Sequence, residues 1–226
     1  MSVVTADLPG TGADVDLDVT DAEATSQAIA GLDRLDVVVA NAGIAVGGLV
    51  EDIERVDWDR CIEVNIRGVV NTVLPGYARL REQGSGAVVL TASLAGLVGA
   101  PLLTPYAMSK AAIVGLGSGL RPEAARHGVN VVTVCPGTIE TPILDTPIST
   151  PGMSGRRYIS AAGGKPVAAE TLATKVVDAL RGDDAMVVPG RAGVIWRLTR
   201  YLPWLADRKV VKGMTKELEA AARATR

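Results

Sequence analysis

Tyr106 and Lys110 lie four residues apart in a stretch, Thr104 to His127, that contains few helix breakers other than glycine. On a helix, that spacing places both side chains on one face. An ammonium beside a phenol favours the phenolate and should bring the Tyr pKa down from ~10 towards working pH. A phenol tuned in this way gives a proton to a carbonyl oxygen or takes one from an alcohol. A Tyr-x-x-x-Lys pair is also an ordinary helix-surface pair. What singles this one out is the set of residues that the other elements should bring to it.

Those elements alternate. Ser2 to Asp7 is expected to be a short buried strand, and Leu8 to Gly12 a turn. Asp14 to Val19 is expected to be a second strand, and Thr20-Asp21-Ala22-Glu23 a capping box opening a helix to about Gly31. Leu35 to Ala40 is a β-branched run, hence a strand, stopping at Asn41-Ala42-Gly43. A long helix is expected from about Val56 to Arg81, kinked by Pro75. Strands Gly86 to Thr91 and Asn130 to Val134 flank the Tyr106 helix. Thr138 to Pro166 is rich in Pro, Gly, Ser and Thr and is expected to be a loop region. A helix over Ala168 to Arg181 and a strand over Ala185 to Val188 follow.

Strand–helix alternation implies a doubly wound α/β fold with a parallel sheet covered on both faces. Ligands bind such sheets beyond the carboxyl ends of the strands. Asp7, Asp18, Asn41, Ser93 and Pro136 each follow a different strand, so all five fall at that end.

Composition narrows the class. The chain has 226 residues, 48% hydrophobic and 21% charged, which is enough apolar material for one domain with a sizeable core. A net charge of −2 argues against nucleic acid as a partner. The two cysteines, Cys61 and Cys135, stand far apart in apolar surroundings without metal-ligand spacing, and are expected to be buried thiols of a reducing compartment. The single histidine, His127, precedes Gly128 at a helix end and is assigned to capping. No run is long enough to span a bilayer and no N-terminal stretch has the form of a signal peptide, so a cytoplasmic protein is expected.

With these pieces in place, the sequence resembles the short-chain dehydrogenase/reductase family. The resemblance rests on Asp18-Val19, Asn41-Ala42-Gly43, Asn65 in Asn-Ile-Arg-Gly, Ser93, Tyr106-x-x-x-Lys110 and Pro136-Gly137-Thr138-Ile139-Glu140-Thr141, in that order. It implies a Rossmann-like sheet and an oxidoreductase that interconverts an alcohol and a ketone or aldehyde with a nicotinamide cofactor. It also implies roles. Tyr106 is the general acid/base, Lys110 lowers its pKa and holds the nicotinamide ribose, and Ser93 bonds the reacting oxygen. Asn65 supports a water in the proton relay. Asn41, Ala42 and Gly43 lie along the cofactor, Asp18 and Val19 contact the adenine, and Pro136, Gly137, Ile139 and Thr141 hold the carboxamide and part of the diphosphate. Asp7, at a strand end, would accept hydrogen bonds from the adenosine ribose and repel a 2′-phosphate; the first basic residue is Arg34. NAD is therefore expected rather than NADP.

The chain departs from the family at its start. The family's first strand, its Thr-Gly-x-x-x-Gly-x-Gly turn and the following helix are absent, and Gly10-Thr11-Gly12 has neither the third glycine nor the helix to replace them. The expected fold is thus N-terminally truncated, with unpaired inner edges. The competing reading is a remnant that keeps the active-site residues but binds cofactor poorly. The Asn65 and Tyr106 helices resemble the family's dimer-forming pair, and the small residues Gly115, Gly117 and Gly119 suggest close packing, so a homodimer or homotetramer is expected.

Two units are expected: 1–190, the Rossmann-like domain, and 191–226, a basic amphipathic helical extension. The extension carries Trp196, Tyr201, Leu202, Trp204 and Leu205 among Arg197, Arg200, Arg208, Lys209 and Lys212. Nine basic and three acidic residues give it +6, leaving −8 on the rest. Such a stretch can cover the substrate cleft, pack on a partner subunit or lie on an anionic membrane surface. Ile143, Leu144, Ile148 and Met153 in the preceding region point to an apolar substrate.

Overall fold

The computed structural model describes residues 2–224. Met1, Thr225 and Arg226 lie outside the described residues, as do the side chains of Ala162, Leu205, Ala206, Asp207, Lys209 and Ala224. The elements run β1 (Ala6–Asp7), β2 (Val15–Asp16), α1 (Ala22–Ala30), β3 (Val37–Ala40), α2 (Arg55–Ile62), α3 (Gly68–Gln83), β4 (Gly86–Thr91), α4 (Thr104–Ala125), β5 (Val129–Val134), α5 (Gly155–Gly163), α6 (Ala169–Arg181), β6 (Met186–Val187), α7 (Arg191–Tyr201) and α8 (Pro203–Ala224).

All strand pairing is parallel, in two sheets: β3-β4-β5-β6, and β1-β2 apart from it. The alternation of the central strands explains the layers. Val38, Val88, Leu90 and Val131 point to one face and pack under α1, α3 and α4. Val37, Val89, Val132 and Val134 point to the other and pack under α6. A side-chain period of two along valine-rich strands, with helices above and below, is what a covered parallel sheet requires.

The doubly wound expectation holds for β3 to β6. It differs at the N-terminus, where Ser2 to Asp7 is exposed rather than buried, with only Ala6 and Asp7 in a strand. In the structure β1 pairs only with β2 and stands apart from the larger sheet. β3 is an edge strand, and Val39 in its middle is 52% exposed. Between β1 and β3 lies a trough walled by Val4 and Ala6 on one side, Val37 and Val39 on the other, Ile29 of α1 and Val176 of α6.

Other elements shift for local reasons. Asp21, not Thr20, caps α1, accepting from the N–H of Glu23 and Ala24 at 3.0 and 2.9 Å. Thr20 turns back instead and donates to Asp18. The long helix is interrupted by a π turn at Glu63–Arg67, and Pro75 sits inside α3 without ending it. Thr138 to Pro166 is not loop throughout. A 3-10 turn spans Pro142–Asp145, and α5 forms where Ser154 accepts from the Arg157 N–H and Tyr158 is buried on Leu102 and Leu103. Tertiary burial there overrides a composition that favours loops.

Candidate functional site

Every residue singled out for cofactor contact lines one open space of about 3210 Å³ that takes in both the trough between β1 and β3 and the carboxyl ends of the strands. Asp7, Asp18, Val19, Asn41, Ala42, Gly43, Pro136, Gly137, Ile139 and Thr141 border it, with Ser93, Tyr106 and Lys110. Asn65 lies behind this wall, fully buried.

The centre is built from four elements. β4 ends at Thr91, whose carbonyl accepts from the Lys110 ammonium at 2.8 Å. Two residues on, Ser93 lines the same cavity wall as Tyr106, and its hydroxyl favours the ionised form of that phenol. It also accepts from the Ala95 N–H at 3.2 Å, which fixes the turn after the strand. On α4, the four-residue spacing puts the Lys110 nitrogen 5.7 Å from the centre of the Tyr106 ring. The π turn presents Asn65: its side-chain N–H2 donates to Ile44 O and to Ser109 Oγ, both at 2.9 Å, and its oxygen accepts from the Ile44 N–H at 2.8 Å. A π turn inserts one residue into a helix, and such insertions recur at functional sites. Here it clamps the loop after β3 to the helix.

That loop favours glycine at one position. A Cβ on Gly43 would stand 3.2 Å from Lys110 Nζ and 3.3 Å from Asn65 Oδ1. Asn41, two residues earlier, accepts from the Thr91 hydroxyl at 3.0 Å, tying the ends of β3 and β4 together. Further out, Pro136 accepts from the Leu94 N–H at 2.8 Å, Ile139 bridges to Val167, and the Thr141 hydroxyl donates to Ile139 O at 3.5 Å. Asp7 accepts from the Leu8 N–H at 2.7 Å. Asp18 takes both the N–H and the hydroxyl of Thr20. Val19 packs on Gly68, where any Cβ would meet its methyl at 2.6 Å, and accepts from Asn71 at 2.9 Å.

The electrostatics correct one expectation. Tyr106 is not brought down. Burial raises its pKa, and the nearby Ser93 hydroxyl offsets only part of that. Burial instead brings Lys110 down from 10.5 to about 8, although the thiols of Cys61 and Cys135 pull the other way. Its ammonium is aimed at the Thr91 carbonyl, not at the phenol oxygen. Both thiols are themselves pushed up by burial, Cys135 to about 12.

Sequence reasoning passed over Ser109 and Gly96. Ser109 is fully buried and links the Asn65 amide to the Tyr106 carbonyl, to which it donates at 2.7 Å. Its signal was a polar residue three positions after Tyr106, on the same helix face. At Gly96 a Cβ would stand 2.6 Å from the Lys110 backbone, so the turn carrying Ser93 can press onto α4. Among the described residues no group of three or more His, Cys, Asp or Glu side chains is placed to hold a metal ion.

Residues 8–150 match the family model described as short chain dehydrogenase. The chain is 33% identical to 2-(S)-hydroxypropyl-CoM dehydrogenase 3 of Xanthobacter autotrophicus, over 80% of this chain and 69% of that protein. It is 35% identical to a 3-oxoacyl-(acyl-carrier-protein) reductase of Thermotoga maritima, over 61% of this chain and 58% of the other. A short-chain dehydrogenase structure from Streptomyces avermitilis superposes with a TM-score of 0.72 at 26% identity, covering 94% of this chain and 80% of that one. The chain spans about half the length of the curated relatives it matches, from 43% to 58% of three of them.

Proposed function

We propose that this chain, which belongs to the short chain dehydrogenase family, interconverts a secondary alcohol and a ketone with a nicotinamide cofactor. The observation that carries this reading is that Ser93 and Tyr106 stand together in the wall of one cavity, backed by a buried ammonium on the Tyr106 helix. Two donors converge where a substrate oxygen can rest. Tyr106 gives that oxygen a proton or takes it, and Ser93 steadies the charge that develops there. Burial keeps Tyr106 protonated, which suits it to donate in the reductive direction. A bound nicotinamide supplies or accepts the hydride.

The nicotinamide end of such a cofactor fits the residues present. Gly43 leaves room beside Lys110, and the Pro136 to Thr141 backbone lines the opposite wall. The diphosphate end is less well served. β1 runs through a turn directly into β2, and among the described residues no helix N-terminus stands behind β1. The free edges of β1 and β3, with apolar side chains of α1 and α6 between them, support the reading that a strand–helix unit belongs in the trough. Without one, cofactor should bind weakly. For NAD over NADP, the support is Asp7 at the cavity rim and an Arg34 already paired with Asp36 at 2.8 Å.

For the substrate, Ile143 and Leu144 line the cavity and Met153 packs in the cluster containing Tyr106, which favours an apolar body. The relatives' names point to hydroxyalkyl and 3-oxoacyl compounds. Self-association is supported by Leu74 of α3, 63% exposed, and by the open space over Gly115 and Gly119 of α4. Gly117 does not belong to that face, because it packs on Thr133 and Leu90 of the sheet. Contact with an anionic membrane is supported by Tyr201 and Trp204, both well exposed at the α7–α8 corner, beside Arg208. Among the described residues no helix is long and apolar enough to cross a bilayer.

The test is turnover of short ketones and 3-oxoacyl thioesters with NADH, followed by the loss of NADH absorbance for the chain and for Tyr106→Phe. Removing a positioned proton donor should cost roughly 10²–10⁴ in rate while leaving NADH affinity unchanged. A Phe variant with turnover close to that of the parent would remove Tyr106 from the chemistry.

A further inference from the structure

The outer faces of α7 and α8 take no part in the proposed chemistry. α7 turns Ile195, Leu198 and Thr199 inwards and leaves Val194, Arg197, Arg200 and Tyr201 exposed. α8 turns Val210, Glu217 and Ala220 inwards and leaves Trp204, Arg208, Val211 and Lys212 exposed along one stripe. Where the helices meet, Tyr201 is 77% and Trp204 59% exposed, and Leu202 between them is exposed as well. The Arg208 guanidinium lies over the Trp204 ring, 5.8 Å from its centre. At the end of α7 a shallow hollow of about 220 Å³ is bordered by Trp196, Arg197, Arg200 and Tyr201. Among the described residues neither Arg197 nor Arg200 has an ion pair or a side-chain hydrogen bond. Of the described acids on α8, Glu217 is held inwards by Arg157, and Glu219 lies two turns beyond Val211.

Large aromatic and apolar side chains held in water beside unpaired cations suit a helix lying in a lipid interface. Trp and Tyr settle at headgroup level, where the ring is in apolar surroundings and its N–H or O–H stays wet. Arg197 and Arg200, three residues apart on one face, repel each other mildly. A phosphate between them removes that repulsion, and its paired oxygens match the guanidinium fork. The neighbours of the hollow select a phosphate carried by a lipid, because a free ion would leave Tyr201, Leu202 and Trp204 in water. We propose that the outer faces of α7 and α8 lie on an anionic phospholipid surface, with one lipid phosphate seated between Arg197 and Arg200 and with Tyr201, Leu202 and Trp204 sunk to headgroup level. The proposal rests on the membrane contact put forward above and names its ligand. It does not depend on the oxidoreductase reading.

The experiment is co-sedimentation of the full chain with vesicles of phosphatidylcholine, alone or with a third of phosphatidylglycerol, at ~0.1 and ~0.5 M salt. The parent should bind the anionic vesicles at the lower salt, leave them at the higher, and ignore the neutral ones. Two variants remove equal charge: Arg197→Gln/Arg200→Gln in the hollow and Arg208→Gln/Lys212→Gln outside it. A basic residue near an anionic surface is worth about fivefold in binding, so the outer pair should cost about 25-fold. The hollow pair should cost about tenfold beyond that, because it also loses the charge-assisted bonds to the phosphate. Tyr201→Ala/Trp204→Ala should weaken binding about tenfold and leave its salt dependence unchanged. All six side chains are exposed, so the melts of these variants should coincide with the parent's. Equal losses from the two charge pairs overturn the headgroup seat and leave the membrane contact standing. Calorimetric binding of inorganic phosphate without vesicles, abolished in the hollow pair, also overturns it and makes the hollow a site for a free anion. A parent chain that ignores the anionic vesicles overturns both the seat and the contact, and leaves the stripe to an acidic protein surface.

Discussion

Lys110→Met is expected to be more stable than the parent at pH 7 and to lack turnover. Lys110 is 3% exposed, and burial holds its pKa at about 8, against 10.5 for a free lysine. The sign follows from where the proton sits. Below about pH 8 the folded protein carries a buried ammonium at a cost. Between 8 and 10.5 the unfolded chain binds more protons than the folded one, so this residue's contribution to stability rises with pH. At 1.36 kcal/mol per pKa unit, the cost at pH 7 is ~3 kcal/mol. Methionine fills the same stem volume without the charge. It gives up one hydrogen bond to the Thr91 carbonyl, worth ~1 kcal/mol net with some further cost for the unpaired oxygen. The balance is a gain of ~1 kcal/mol, or about 2–4 °C in Tm for a chain of this size. Thermal melts of both proteins at pH 7 and 9 check it. The gap should be widest at pH 7 and should close as the wild-type lysine loses its proton. Cys61 and Cys135, whose raised pKa values cost stability above pH 9, lose in the variant the Lys110 charge that lowers them, so the comparison is read at pH 7, below their titration. A variant less stable at pH 7 would mean that the ammonium is better solvated or better paired than its burial indicates.

The second large effect falls on Asn65→Ala. The substitution strips the Ile44 N–H, the Ile44 carbonyl and the Ser109 hydroxyl of a buried partner at once. At ~1–3 kcal/mol for each buried group left unsatisfied, some of it recovered by water, the expected loss is about 3–4 kcal/mol, or roughly 10 °C in Tm. Urea unfolding should show a lower midpoint with an unchanged slope. Asn65→Asp should fall between, since a carboxylate still accepts from Ile44 N but cannot donate to Ile44 O. A loss below ~1 kcal/mol would mean that the loop after β3 is held by something other than this amide.

What the sequence revealed and what it concealed divide along burial. Residues 35–40 and 129–134 carry enough β-branched side chains to declare strands, and the strand exits at Asn41, Ser93 and Pro136 do converge on one cavity. Tyr106 and Lys110 share a helix face as their spacing requires. The direction of the Tyr106 shift was not legible, because spacing reports the neighbouring charge but not the depth of burial, which is the larger effect here. α5 was hidden because Gly155 to Gly163 is a short helix among glycines and serines, stabilised by contacts distant in sequence, Tyr158 on Leu102 and Leu103 and Arg157 on Glu217. Thr20 and Asp21 both suit an N-cap, and the choice between them was settled by Asp18, which draws the Thr20 hydroxyl away. Ser2 to Val4 has the pattern of a strand, yet the structure leaves it exposed and outside any sheet.

The most direct test of the central claim is calorimetric titration of the purified chain with NADH. On the proposed reading that two or three charge-assisted hydrogen bonds are lacking at the diphosphate, at ~1.5–3 kcal/mol each, affinity falls about a thousandfold, which moves a micromolar Kd towards about 1 mM. The account predicts saturable binding in that range, equal in Tyr106→Phe. A chain that melts cooperatively and yet shows no saturable binding of NADH or NADPH at about ten times that concentration would contradict it.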